Sequence, residues 1–202
     1  MVWGVFHEIG RKIIHITILV VLAAYFSIQR YLVDAGRTTA LAKQVALLFL
    51  VALLIVFLIL EYLRLELNWK MPFFSMFIRP KEQDRMYGVV YFLSAAIISL
   101  AVFDHRIALT ALLMTTFGDV TAAVIGKRYG TTLIYRNKTW AGFLAELATN
   151  FVVGFIILKN IYIIIGMAFV ATIVETLVDE LDDNLLIPLF SGFVGQFIYF
   201  SL

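Results

Sequence analysis

Polar and ionisable residues inside otherwise apolar segments are the feature of this sequence that could carry chemistry. His15, Asp119, Glu146, Asn150 and Glu175 each lie within or at the end of a long apolar run. A charged side chain at the centre of a membrane helix costs about 2.5–3.5 kcal/mol on insertion scales, so each position needs a reason. Any one of them could be a helix-end residue with a structural hydrogen bond. Their shared depth, near one leaflet, instead favours a common polar site.

A basic stretch next to this group is typical of phosphate binding. Gly126 and Gly130 flank Lys127 and Arg128 in a segment that we predict to be a short loop. Glycines free the backbone to approach phosphate oxygens, and the two cations neutralise them. The plainer alternative is a basic loop that only sets the orientation of the chain in the membrane.

Further cations extend the predicted anion site. Lys138 precedes Thr139, which we predict to cap the fifth membrane helix, where free N–H groups attract an anion. Arg11 and Lys12 fall on one helical face with His15 and could form a second anion-binding strip. The alternative for that strip is an ordinary juxtamembrane basic pair that holds lipid headgroups.

Acidic residues after the sixth apolar segment supply candidate metal ligands. Glu175 is followed by a run that ends in Asp182, Asp183 and Asn184. Carboxylate oxygens suit Mg²⁺, although a solvated acidic turn would explain the run by itself. Together with the buried acids, this predicts a divalent metal site with ligands drawn from Asp119, Glu146, Glu175 and Asp183.

The composition places these residues in a membrane protein. The 202 residues are 62% hydrophobic and 15% charged, which no single soluble core of ordinary composition accommodates. A membrane helix needs about 20 apolar residues. We predict an all-α, polytopic integral membrane protein, with residues 1–202 as a single transmembrane domain of about seven helices. The predicted spans are Ile13 to Tyr31, Gln44 to Leu63, Gly88 to Phe103, Ile107 to Gly126, Ala141 to Leu158, Ile161 to Val178 and Leu185 to Leu202.

The distribution of Lys and Arg predicts the orientation. With seven spans, the amino terminus and the loops on its side hold Arg11, Lys12, Arg64, Lys70, Arg79, Lys81, Arg85, Lys127, Arg128, Arg136 and Lys138. The opposite side holds Arg30, Arg37, Lys43, Arg106 and Lys159. The positive-inside rule therefore puts the amino terminus and the polar site at the cytoplasmic face, in the plasma membrane if the source is prokaryotic. No basic patch indicates nucleic-acid binding, and the absence of cysteine excludes thiolate chemistry.

Motifs spread over most of the chain resemble those of a known family. They are Arg11-Lys12 with His15, Arg79-x-x-Glu82 with Gly88 and Tyr91, Phe117-Gly118-Asp119, Gly126 through Gly130, Asn137-Lys138-Thr139 with Gly142, and Glu175 through Asn184 with Pro188. In order and spacing the chain resembles the CTP-dependent lipid alcohol kinases, which include dolichol kinase, phytol kinase and yeast-type diacylglycerol kinase. It is distantly similar to the phosphatidate cytidylyltransferases.

The resemblance implies that CTP is the phosphoryl donor, that Mg²⁺ or another divalent metal assists, and that CDP and a lipid phosphate are the products. It also implies that the basic residues above surround the nucleotide phosphates. Asp119, Glu146 or His15 would orient the lipid hydroxyl or take its proton, and the sequence does not choose among them.

Two other functions remain as alternatives at this point. A cytidylyltransferase would use similar groups but would release pyrophosphate. An ion-coupled transporter would need polar residues near the midplane, and the outer halves of the predicted spans are nearly free of ionisable residues. The acceptor, which could be a polyprenol or dolichol, a phytol-like isoprenoid or a diacylglycerol, and any homo-oligomer are left open.

Overall fold

The computed structural model describes residues 19–67, 85–178 and 181–202. These residues form seven helices and a two-stranded ladder, which confirms the predicted all-α class. The helices are α1 (residues 19–34), α2 (Thr39–Leu65), α3 (Gly88–Val102), α4 (His105–Tyr129), α5 (Trp140–Ile157), α6 (Ile161–Leu177) and α7 (Asp183–Ser201). The strands are β1 (Leu133–Tyr135) and β2 (Lys138–Thr139). The predicted site residues Arg11, Lys12, His15, Arg79 and Glu82 lie outside the described residues.

Side-chain caps determine where most of these helices begin. Thr38, Asp104, Thr139, Asn160 and Asp182 each accept a hydrogen bond from a backbone N–H in the first turn of α2, α4, α5, α6 and α7, respectively. Such a cap is worth about 1 kcal/mol, because it satisfies a donor that the helix itself leaves free. The predicted cap at Thr139 is confirmed.

Length and hydropathy fit membrane helices. Among the described residues, α2, α4, α5 and α7 are long and apolar enough to cross a bilayer, and α3 and α6 are shorter apolar helices. Large apolar side chains are widely exposed: Ile156 is 77% exposed, and Phe200 is 78% exposed. Surface of this kind is stable in lipid and costly in water.

The chain divides into two compact units, Met1–Ile97 and Ile98–Leu202. Within the second unit α4 packs against α5 and α7, and α6 packs against the same two helices. Its core includes Ile107, Leu112, Ile164 and Met167, which are all almost completely buried. All the described site residues belong to this unit. The single transmembrane domain remains a prediction.

The first unit contains a buried ion pair that we did not predict. The Arg64 guanidinium donates to both carboxylate oxygens of Glu61, at 3.2 and 2.6 Å, and Glu61 is 2% exposed. The same guanidinium donates to the Arg85 carbonyl at 2.6 Å and lies 4.4 Å from the centre of the Tyr87 ring. This pair fastens the end of α2 to the residues that precede α3.

Glycines allow α4 and α5 to approach closely. A Cβ on Gly142 of α5 would lie 2.9 Å from the Ala122 carbonyl oxygen and 3.4 Å from the Gly126 Cα of α4. Further along α4, a Cβ on Gly118 would lie 2.9 Å from Asn150 Oδ1. A larger residue at Gly142 would push the two backbones apart, and one at Gly118 would displace the side chains of Asn150 and Glu146, so these glycines set the spacing of the site residues.

A small antiparallel ladder joins α4 to α5. Tyr135 pairs with Lys138 and Leu133 with Thr139, and the turn between the strands places Arg136 at φ 45°. The left-handed conformation is uncommon for a residue with a Cβ. The ladder determines the direction in which Lys138 leaves the backbone, immediately before the α5 cap. Strands this short carry no periodic pattern, which is why the sequence did not predict them.

Candidate active site

Three carboxylates from three helices meet in the second unit. Asp119 comes from α4, Glu175 from the last turn of α6 and Asp183 from the first turn of α7, and one carboxylate oxygen of each lies within 4.8 Å of the others. Glu175 is 2% exposed, whereas Asp119 and Asp183 are half-buried. We refer to these three residues as the acid cluster. It unites three of the four predicted metal ligands, and Glu146 lies outside it.

Lys138 forms an ion pair with the acid cluster. Its ammonium donates to Glu175 Oε1. Burial lowers the pKa of Lys138, but the carboxylates of Glu175, Asp183 and Asp119 raise that pKa above its usual value in net. The group is therefore a cation throughout the neutral range. Lys138, which we predicted to bind phosphate, is engaged by a carboxylate in this structure.

The chemistry of the cluster fits a divalent cation such as Mg²⁺. Glu175 Oε2 is buried and has no hydrogen-bond partner among the described residues. A buried acceptor without a partner costs free energy that a bound cation would recover. Three carboxylates near one another also repel, and Mg²⁺ prefers such hard oxygen ligands.

Glu146 is buried on α5, close to α4. Its side chain is 2% exposed, and its Cγ lies 3.2 Å from the Cβ position of Gly118, the residue before Asp119. One turn further, Asn150 donates through Nδ2 to Thr172 Oγ1 at 3.0 Å. The Thr172 hydroxyl itself donates to the Ala168 carbonyl. These buried residues form a second polar group, in which Asn150 Oδ1 has no hydrogen-bond partner among the described residues.

The prediction that residues 126–130 form a loop is wrong. Residues 126–129 continue α4, and Gly130 is the residue that caps its end. Lys127 and Arg128 thus lie exposed in the last helical turn, where cations are favoured by the free carbonyl groups. Gly126 is explained by close packing and not by a loop conformation, because a Cβ there would lie 3.1 Å from Thr139 Oγ1.

Two further predicted positions have structural contacts. Thr139 Oγ1 accepts from the Gly142 N–H at 3.2 Å, and a Cβ on Gly130 would collide with the Thr139 side chain and the Gly126 carbonyl. Asn184 is nearly buried and donates through Nδ2 to Asp182 Oδ1 at 2.8 Å, which strengthens the cap of α7. That cap holds the neighbouring Asp183 in the acid cluster.

Comparisons with known proteins identify relatives. The chain is 32% identical over 154 residues to CTP-dependent diacylglycerol kinase 1 of Saccharomyces cerevisiae, covering 71% of this chain and 48% of that protein. It is 31% identical over 160 residues to the protein of the same name from Eremothecium gossypii, covering 74% of this chain and 44% of that protein. It is 28% identical over 130 residues to phytol kinase 1, chloroplastic, of Arabidopsis thaliana, covering 54% of this chain and 42% of that protein.

No protein-family model matches the chain, and no solved structure does. The chain spans less than half the length of each of the three relatives named above. The matched relatives are named as kinases of diacylglycerol and of phytol, which confirms the resemblance drawn from motifs spread over most of the chain. The chain is therefore a homologue of the CTP-dependent lipid alcohol kinases.

Proposed function

We propose that this protein transfers the γ-phosphoryl group of CTP to the hydroxyl of a membrane lipid alcohol, which yields the lipid phosphate and CDP. The observation that carries the proposal is the acid cluster, in which Asp119, Glu175 and Asp183 converge beside the Lys138 cation. Phosphoryl transfer depends mostly on alignment and charge neutralisation, and this arrangement supplies both kinds of charge. The names of the relatives support CTP as donor and a lipid alcohol as acceptor.

The acid cluster would hold Mg²⁺. A divalent cation held there would supply positive charge to offset the charge that develops on the nucleotide phosphates. Lys127 and Arg128 are exposed in the last turn of α4, and the chain reaches Lys138 ten residues after Arg128. We propose that both cations contact the phosphates from the aqueous side. Arg11 and Lys12, outside the described residues, are proposed for the same role.

The reaction forms one bond and breaks one. The lipid hydroxyl oxygen attacks the γ-phosphorus, and the bond from that phosphorus to the bridging oxygen breaks, so that CDP leaves with the bonding pair. The hydroxyl proton passes to a carboxylate or imidazole, for which Asp119, Glu146 and His15 are the candidates. Glu146 lies outside the acid cluster, which supports a role toward the acceptor rather than the metal.

The acceptor is proposed as a class. Diacylglycerols and phytol-like isoprenoids appear in the names of the relatives, and polyprenols such as dolichol have the same chemistry at the hydroxyl. Each presents a primary or allylic alcohol at the end of an apolar body. Apolar helix faces bind such chains without distinguishing them.

A direct assay tests donor, acceptor and reaction together. Purified protein in detergent is incubated with γ-labelled CTP or ATP, Mg²⁺ and a panel of lipid alcohols. We expect labelled lipid phosphate and free CDP from CTP with at least one alcohol, and loss of the product in Asp119→Asn. In a parallel incubation with the matching lipid phosphates, release of labelled pyrophosphate would instead indicate a cytidylyltransferase. No labelled product of either kind would overturn the proposal.

A further inference from the structure

The pairing of Lys138 with Glu175 joins two residues that we assigned to different ligands. Glu175 is a metal ligand in the proposed function, and Lys138 is a phosphate ligand. In the structure they contact each other through Lys138 Nζ and Glu175 Oε1. An ammonium that stays on Oε1 leaves only Oε2 of Glu175 for a metal ion and repels that ion, so we expect the contact to change when metal and substrate bind.

The surroundings of Lys138 allow such a change. Its side chain is 39% exposed, whereas that of Glu175 is 2% exposed. The Glu175 carboxylate is thus buried on its helix, whereas the Lys138 ammonium reaches it from the more exposed side of the contact on a flexible four-carbon side chain. The backbone of Lys138 is held by its pairing with Tyr135 and by the cap at Thr139. The Lys138 side chain can therefore change rotamer while its backbone stays in place.

The acid cluster needs a cation. A buried carboxylate without a counter-charge is strongly unfavourable, and here Glu175 lies close to two more acids. The Lys138 charge also interacts with Asp183 and Asp119. It therefore offsets part of the negative charge of the whole cluster, and the remaining negative charge still attracts a cation. A divalent cation at the same place would meet repulsion from the ammonium.

We propose that Lys138 is the resident counter-cation of the metal site. It occupies the acid cluster in the absence of substrate, competes there with the divalent cation, and moves to the phosphates when the metal arrives with CTP. This inference rests on the proposed function. It makes metal and nucleotide binding cooperative, because the nucleotide supplies the anionic partner that draws the ammonium away. The protein would then bind the metal weakly by itself and firmly as the nucleotide complex.

The inference makes an unusual prediction: removing a cation from the site should tighten metal binding while it lowers kinase activity. Binding of Mn²⁺ is measured by electron paramagnetic resonance on the purified protein in detergent, without nucleotide. We expect Lys138→Met to bind Mn²⁺ about tenfold more tightly than the natural protein, since a nearby positive charge has been removed. Lys138→Arg keeps the charge and should bind Mn²⁺ as the natural protein does.

Two matched variants control the experiment. Lys159→Met removes an exposed cation from the connection at the far end of α5, and its Mn²⁺ affinity should be unchanged. If Lys138→Met does not fold, Lys138→Gln removes the same charge and keeps a hydrogen-bond donor for Glu175. Mn²⁺ affinity that is unchanged or weaker in the folded neutral variant overturns the inference. If the natural protein still makes lipid phosphate, the proposed function survives that result, whereas absent kinase activity refutes the proposed function separately.

Discussion

At the scale of single residues, two neighbouring acids at the start of α7 have different contacts. Asp182 Oδ1 accepts from the Asn184 N–H at 3.0 Å and from Asn184 Nδ2 at 2.8 Å, so this residue caps the helix. Asp183, the next residue, shares the Asn184 N–H at 3.0 Å and in addition contributes a carboxylate oxygen to the acid cluster. The pair offers a matched test, because one substitution changes a proposed metal ligand and the other changes a cap nearby.

We expect Asp183→Asn to raise the Mg²⁺ concentration for half-maximal kinase activity about tenfold or more, because a charged ligand is lost. Even the loss of a residue that only hydrogen-bonds a metal ligand lowers metal affinity about 10- to 100-fold. Asp182→Asn should change it by less than about twofold, since Asn caps a helix as well as Asp does. A titration of initial rate against Mg²⁺ measures both. Equal shifts in the two variants would remove Asp183 from the metal site.

The residues themselves allowed part of this site to be predicted, for a physical reason. Asp119 and Glu175 stood out because acids are rare in apolar segments, and their shared depth could be counted along each helix. Asp183 stood out because it lies in the acidic run after the sixth apolar segment. The contact of Lys138 with Glu175 could not be found in this way. The two residues are 37 positions apart in the chain, and no spacing rule relates residues on different elements.

At the scale of helices and strands, the crossing of α4 and α5 places the site. Gly142→Ala would bring a Cβ to 2.9 Å from the backbone oxygen of Ala122, which has no side-chain freedom to move away. We expect this variant to lose about 1–3 kcal/mol of stability, the usual cost of overpacking. It should also lose activity, because Lys138 and Thr139 lie where α4 and α5 come closest, and a shift of α5 would move them.

Gly166→Ala is the control for that substitution. Its Cβ would meet the Cδ1 of Ile198, the far end of a flexible side chain, and the gain in helix propensity of about 1 kcal/mol offsets part of the contact. Thermal unfolding in detergent, followed by circular dichroism, measures both variants. A Gly142→Ala protein as stable as Gly166→Ala would show that the close approach of α4 and α5 is not needed.

Element boundaries could be predicted where an apolar run and a cap coincide, and less well elsewhere. The fifth predicted span begins within one residue of α5, because Thr139 stops the apolar pattern and caps the helix. The second begins about one turn after the start of α2, because Lys43 interrupts the apolar run while Thr38 still starts the helix. The segment from Gly126 to Gly130 misled us, since glycines that serve close packing resemble glycines that serve a loop.

At the scale of the whole molecule, the proposed function depends on which side of the membrane the acid cluster faces. The excess of Lys and Arg predicts that the connection between α4 and α5 is cytoplasmic and the connection between α5 and α6 is not. These two connections lie at opposite ends of the same helix, which is apolar and 18 residues long. The proposed kinase requires the first of them, where Lys138 lies, to face the nucleotide pool of the cytosol.

The chain contains no cysteine, so single cysteines can report this orientation without background. Thr131→Cys and Lys159→Cys introduce one at an exposed position in each connection. We expect a membrane-impermeant maleimide to label Lys159→Cys in intact spheroplasts, and Thr131→Cys only after the membrane is inverted or opened. The physical reason is that a charged reagent cannot cross the hydrocarbon between the two ends of α5. The opposite labelling pattern would place the acid cluster outside the cytosol and leave it without CTP, and labelling of both from one side would show that α5 does not cross.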